Sequence, residues 1–196
     1  GDDSLKAVFT SDGLAAREGD TLPDGTPLDD ITESGGVAIN DFDEVAFHGQ
    51  TVNLEAGDDS LKAVFTSDGL AAREGDTLPD GTLLDDINEN GGVAINLFGE
   101  VAFHGDAIDP DVGGDSVKAV FTQNGLVVKE GDILPDGTLL VEIEVYGGVA
   151  INLFGEVAFH GRTDGSKAVF TQNGLVAKVG DNLDDSTTLN EIWDTA

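Results

Sequence analysis

The sequence predicts an all-β fold made of tandem repeats of about 56 residues, each supplying four short antiparallel strands. Three observations carry this expectation. Residues 1–26 (GDDSLKAVFTSDGLAAREGDTLPDGT) return letter for letter at 57–82, and GGVAINLFGEVAFHG occupies both 91–105 and 147–161. The apolar runs are short and rich in Val, Ala, Phe and Ile, as strands are. They are punctuated by Asp-Gly, Asn-Gly and Gly-Gly pairs, the chemistry of tight turns. The 196 residues therefore read as one array, 1–196, divided into repeats at 1–56, 57–112 and 113–161 and a partial fourth at 162–196.

Within one repeat the elements follow in order. Leu5 to Thr10 and Leu14 to Glu18 flank Asp12-Gly13, and the later copies carry Asp68-Gly69, Asn124-Gly125 and Asn173-Gly174. Such a pair between two strand-like runs predicts a hairpin with a type I′ turn, positive φ at both central residues. Pro23-Asp24-Gly25 predicts a second turn. Leu28 to Ile31 reads as a short strand, more clearly so in its third copy, Leu139 to Tyr146. A second hairpin joins Val37–Asn40 to Glu44–His48, and its turn places Asp43, Gly99 or Gly155 where a left-handed residue is needed.

All ten Phe fall on three repeat positions: Phe9, Phe65, Phe121, Phe170; Phe42, Phe98, Phe154; and Phe47, Phe103, Phe159. All three positions are expected in the core. Segments such as AVF and VAI are apolar on both faces, which suits sheets sandwiched between neighbouring sheets. Stacked four-stranded blades, a β-propeller-like arrangement, are the first expectation. A β-solenoid or stacked sandwich is the alternative.

The 39 acidic residues outnumber the 9 basic ones, for a net charge of −30. Nucleic acids and anionic membranes are thereby disfavoured as partners, because binding them rests on Lys and Arg meeting phosphate. No run approaches the roughly 18 apolar residues of a membrane span. Eight of the nine basic residues occupy two repeat positions, Lys6, Lys62, Lys118, Lys167 and Arg17, Arg73, Lys129, Lys178. They read as internal charge partners, with Lys6 opposite Glu18 across the first hairpin. There is no Cys, so no disulfide framework. The chain starts at Gly1 without an initiator Met, which suits a processed product or a piece of a longer parent.

Candidate chemistry is sparse. Asp106, Asp109, Asp111 and Asp115 in DAIDPDVGGD form the candidate calcium site, since calcium takes several carboxylate and carbonyl oxygens. The spacing matches no EF-hand. Calcium is the one cofactor the residues suggest. His48, His104 and His160 recur once per repeat and read as structural. No Cys nucleophile exists, and Ser and His share no catalytic context, so a non-enzymatic protein is expected.

Asn96-x-x-Gly99 followed by VAF, together with AREGDTLPDGT, resembles a class of bacterial exported tandem-repeat proteins with an NxxGxxxxR repeat and varied choice-of-anchor C-termini. The resemblance spans essentially the whole chain. It implies an extracellular or cell-surface protein with propeller-like repeats and no catalytic residues. The Arg position of that motif falls here on His48, His104 and His160, and the motif Gly is Asp43 in the first copy.

Counting hairpins sharpens the expectation. KAVFT-type hairpins occur four times and GVAIN-type hairpins three times. Both ends then offer the same half, so a ring does not close neatly within the chain. Exposed strand edges are templates for pairing, and contacts that do not close give filaments. A structural, self-assembling extracellular protein is the leading expectation, with itself as partner. An extracellular propeller binding a glycan or protein ligand is the alternative.

Overall fold

A computed structural model describes residues 5–52, 60–109, 114–182 and 187–192. The described chain is all-β. The first hairpin pairs β1 (Ala7–Thr10) with β2 (Gly13–Arg17). A five-stranded sheet follows, made of β3 (Asp30–Ile31), β4 (Val37–Ile39), β5 (Val45–Val52), β6 (Ser60–Thr66) and β7 (Gly69–Arg73). β3 and β4 lie end to end along one side of β5, and β6 and β7 continue from its other side. The second sheet repeats this with β8 (Leu84–Ile87), β9 (Val93–Ile95), β10 (Val101–Asp109), β11 (Asp115–Thr122) and β12 (Gly125–Lys129). The third uses β13 (Glu142–Ile143), β14 (Val149–Ile151), β15 (Val157–Thr163), β16 (Ser166–Thr171) and β17 (Gly174–Lys178). All pairings are antiparallel, and the sheets do not close into a barrel among the described residues.

Each sheet therefore joins the second hairpin of one sequence repeat to the first hairpin of the next. The long central strands explain the phase. In β5 the residues Val45 to Gly49 are all buried, so both faces of the strand must be covered. Val45 and Phe47 join Phe65 and Ala63 on one face, where Val8 and Ala16 of the first hairpin meet them. Ala46, Val64 and Ala72 on the other face meet Val101, Phe103 and Phe121 of the second sheet. Ala102, Val120 and Val128 meet Phe159 and Phe170 of the third in the same way. Leu78 of the connecting loop and Leu84 and Ile87 of β8 fill the gaps. Each fully buried Phe contributes about 1.5–3 kcal/mol from burial alone. Cross-strand pairs Phe47–Phe65, Phe103–Phe121 and Phe159–Phe170 also stack, with ring centroids 5.5–5.7 Å apart.

Four details depart from the sequence-based expectations. First, the Asp-Gly and Asn-Gly hairpins are not type I′. Only Gly13, with φ 134°, takes positive φ, and Asp12 does not. The pairing Thr10↔Gly13 puts Ser11 and Asp12 at the tip, and a bulge after Val8 absorbs Ala15. A tip followed by a glycine and a bulge meets the strand twist without a strained Asp. Second, Leu139–Tyr146 is not a longer strand. Only Glu142–Ile143 forms a strand, Leu139 makes an isolated bridge with Ile133, and Val145–Gly147 forms a 3-10 turn, because the chain must reverse at Gly147-Gly148 to enter β14.

Third, Lys6 does lie opposite Glu18, whose N–H it accepts at 3.0 Å and whose carboxylate accepts its own N–H at 3.1 Å, but its ammonium goes to Asp30 of β3 at 2.8 Å. Lys62 does the same with Asp86, at 2.7 Å. The Lys118 ammonium lies across its own hairpin from Glu130, at 3.9 Å. Fourth, Phe42, Phe98 and Phe154 are not in the core; they are 74%, 75% and 90% exposed. They sit at turn tips, where no neighbouring sheet reaches.

Candidate functional site

The most developed surfaces are those between sheets, and two repeated side-chain devices hold them. The first is Asn40 with its copies Asn96 and Asn152, each opening an N-x-x-G/D-E turn. The Asn96 side-chain oxygen accepts the N–H groups of Phe98 and Glu100 at 2.9 and 3.0 Å. Its amide donates to the Glu100 carboxylate at 2.7 Å and to the backbone carbonyl of Asn152, one repeat further on, at 3.1 Å. Asn40 makes the same set, ending on the carbonyl of Asn96 at 3.0 Å. All four hydrogen-bonding capacities of the side chain are used, which explains why Asn opens the motif. The third turn residue takes positive φ in each copy, 62° at Asp43, 75° at Gly99 and 78° at Gly155.

The second device is the Pro-Asp-Gly-Thr turn. Asp24 accepts the N–H and hydroxyl of Thr26 within its own turn, and its Oδ2 accepts the N–H of Leu70 on the next sheet at 2.8 Å. Asp80 binds Leu126 and Asp136 binds Leu175 identically, both at 2.8 Å. A Cβ on Gly69 would lie 2.2 Å from the Asp24 carboxylate, so glycine there makes room for the clamp. At Asp24 and Asp80 desolvation pushes the carboxyl pKa up, but the backbone N–H groups outweigh it and hold the group below its ordinary value. At Asp136 the N–H groups of Thr138 and Leu175 are the leading causes of the same shift.

The histidines occupy one position of the long central strands, β5, β10 and β15. His48 and His104 are completely buried. Their Nδ1 atoms lie 3.1 and 2.9 Å from the carbonyls of Gly35 and Gly91. A carbonyl only accepts, so Nδ1 carries the proton and Nε2 is a bare lone pair without a hydrogen-bond partner. Burial drives the pKa of both rings down, that of His104 to about 4. A Cβ on Gly91 would come within 2.6 Å of the His104 ring, which explains the first glycine of each GGVAIN segment. His160 is half-buried on the outer face of the third sheet, beside Gly147, Ala158 and Val169.

Of the four aspartates proposed from sequence, Asp106 and Asp115 are described in full and lie apart on one ladder. Asp106 sits mid-strand in β10 opposite Lys118, and Asp115 pairs with Asp109 three steps along the same ladder, about 10 Å away. Asp111 and the side chain of Asp109 lie outside the described residues. Burial, then the nearby carboxylates of Asp86 and Asp85, raise the Asp106 pKa. Among the described residues no group of three or more His, Asp or Glu is placed to hold a metal ion. No described helix is long and apolar enough to cross a membrane.

Two surfaces went unread in the sequence. The first is the outer face of the third sheet. Ala158, Val169 and Ala177 are partly exposed there, although their counterparts Ala46, Val64, Ala72 and Ala102, Val120, Val128 are buried under the next sheet. At the other end, Phe9 and Leu14 are 68% and 52% exposed, whereas Phe65, Phe121 and Phe170 are fully buried. The signal was available, since identical residues in successive copies must share one environment unless a neighbour is missing. The second is the row of turn-tip phenylalanines.

Stacked sheets, staples between turns and clamps between sheets define a tandem-repeat all-β protein whose units are held by one another. The chain belongs to a family of unknown function, DUF7453, whose model matches residues 10–188. No curated protein and no solved structure matches it.

Proposed function

We propose that this chain is a non-catalytic, extracellular structural protein that stacks head to tail on further copies of itself. The observation carrying this reading is the outer face of the third sheet, which no described residue covers as the inner faces are covered. Ala158, Val169 and Ala177 present the surface that Ala46, Val64 and Ala72 bury against the next sheet inside the chain. Phe9 and Leu14 at the opposite end present part of the complementary face. A heterologous contact of this kind repeats without closing and gives filaments. The internal contacts run through sheet faces, so the association is read as face stacking in addition to strand pairing at edges. The net charge of −30 keeps such an array soluble and makes its growth salt-dependent. Export to the outside of the cell is supported by the resemblance to exported tandem-repeat proteins.

Light scattering over a concentration series at low and high salt tests the reading. Mass that rises with concentration, and rises further with salt, is the expected result. A monomer at every concentration and salt would overturn it.

A further inference from the structure

A second surface points to a partner of different chemistry. Phe42, Phe98 and Phe154 occupy the same place on three successive turns, and those turns are bonded side by side through Asn40, Asn96 and Asn152. The rings therefore form one row along the rim, each at least 74% exposed. Buried counterparts elsewhere in the repeat show that this sequence covers phenylalanine wherever a neighbouring sheet is present. Covering by a further sheet does not account for the row, because Phe98 lies in the middle of the array and is as exposed as Phe42. Exposed aromatic surface of this regularity marks an interaction site.

The charges that accompany the rings identify the partner. Glu44, Glu100 and Glu156 stand two residues after each Phe, and each is held by its turn asparagine at 2.7–3.1 Å. A Cβ on Gly99 would meet the Glu44 carboxylate at 2.9 Å, so Glu44 of one turn rests against the next turn. Asp41 and Asp43 add to the same rim, and residues 37–49, 93–105 and 149–161 contain no Lys or Arg. The rim is thus both aromatic and uncompensated acidic. That surface complements a flat cation which stacks on a ring and donates hydrogen bonds to a carboxylate, which is the chemistry of arginine.

We propose that the Phe42–Phe98–Phe154 rim docks an extended, arginine-bearing segment of a partner protein, with guanidinium groups lying over the rings and bonding Glu44, Glu100 and Glu156. Backbone and fold are not altered by docking, because rings and carboxylates are already placed by the asparagine turns. The row is independent of the stacking faces, so a stacked assembly would extend it.

Fluorescence anisotropy with a labelled decapeptide of alternating Arg and Gly, titrated with the whole chain at physiological salt, tests the proposal. The triple variant Phe42→Ser, Phe98→Ser, Phe154→Ser keeps the net charge unchanged. Three lost cation–π contacts are expected to weaken binding about tenfold or more. Affinity within twofold of the parent would overturn the proposal, because bulk charge would then explain binding. A decapeptide with Lys replacing Arg is expected to bind the parent several-fold more weakly. Equal affinity for the two peptides overturns the stacking geometry without relying on any variant. No peptide binding, with capture instead of a neutral oligosaccharide or of phosphatidylcholine vesicles, overturns it in favour of that occupant.

Discussion

Replacing Asn96 by Ala tests whether the turn asparagines join neighbouring repeats. Asn96 is 5% exposed and makes four hydrogen bonds: two accepted from Phe98 and Glu100 within the turn, one given to Glu100, and one given to the carbonyl of Asn152. At about 0.5–1.5 kcal/mol net for each bond, the substitution costs about 3 kcal/mol. Asn152 makes the three bonds within its turn, at 2.8–3.1 Å, and is exposed. Asn152→Ala is therefore expected to cost about 2 kcal/mol or less. The difference, about 1 kcal/mol, measures the link between repeats. Urea unfolding followed by far-ultraviolet circular dichroism reads both, with the Asn96→Ala midpoint shifted by about 1 M or more below the parent. Equal losses at the two positions would refute the link. No loss at either would refute the staple itself.

Four further outcomes follow from the same geometry. His48 and His104 are neutral when folded, with pKa values below the ordinary 6.5 and that of His104 at about 4. The unfolded chain then binds more protons below pH 6.5, so stability is full above that pH and falls as pH drops toward 4, by roughly 3 kcal/mol for His104 alone. Thermal melts from pH 7.5 to 4.5 should show the decline, and His104→Gln should flatten it. Phe103→Ala, in the core, should cost about 3–5 kcal/mol, whereas Phe98→Ala at its turn tip should fall within about 0.5 kcal/mol of the parent by chemical denaturation. Asp80→Ala removes the bonds to Leu126 and Thr82 and should lower stability by about 1–3 kcal/mol, while Asp80→Glu restores little because Gly125 leaves no room for a longer side chain. Gly91→Ala should lower the melting temperature, since the new methyl would meet the His104 ring at 2.6 Å.

Much of the fold was legible because copying repeats an environment along with a sequence. The strands, the stacking of two-sided apolar sheets and the turn position shared by Asp43, Gly99 and Gly155 all followed from pattern and turn chemistry. What was not legible depends on which element lies next to which. Phe42 and Phe47 look equally buried in a string of letters, yet only Phe47 faces a neighbouring sheet. The bulge at Ala15 removes the need for positive φ at Asp12, and no residue type announces it. Lys6 pairs with Glu18 across the hairpin as its spacing implies, but its ammonium reaches Asp30 of the first sheet, a neighbour that exists only once that sheet is stacked on the hairpin. Among the candidate aspartates, the β-ladder sets Asp115 opposite Asp109 and Asp106 three steps away, a spacing that sequence proximity alone does not give.

The account turns on the outer face of the third sheet, and one substitution isolates it. Val169 is partly exposed there, while its counterparts Val64 and Val120 are fully buried against a following sheet. Sedimentation velocity of Val169→Asp beside the parent, at matched concentration and high salt, is the direct measurement. Face stacking predicts large species for the parent and a folded monomer for the variant. Identical sedimentation of the two proteins would contradict it.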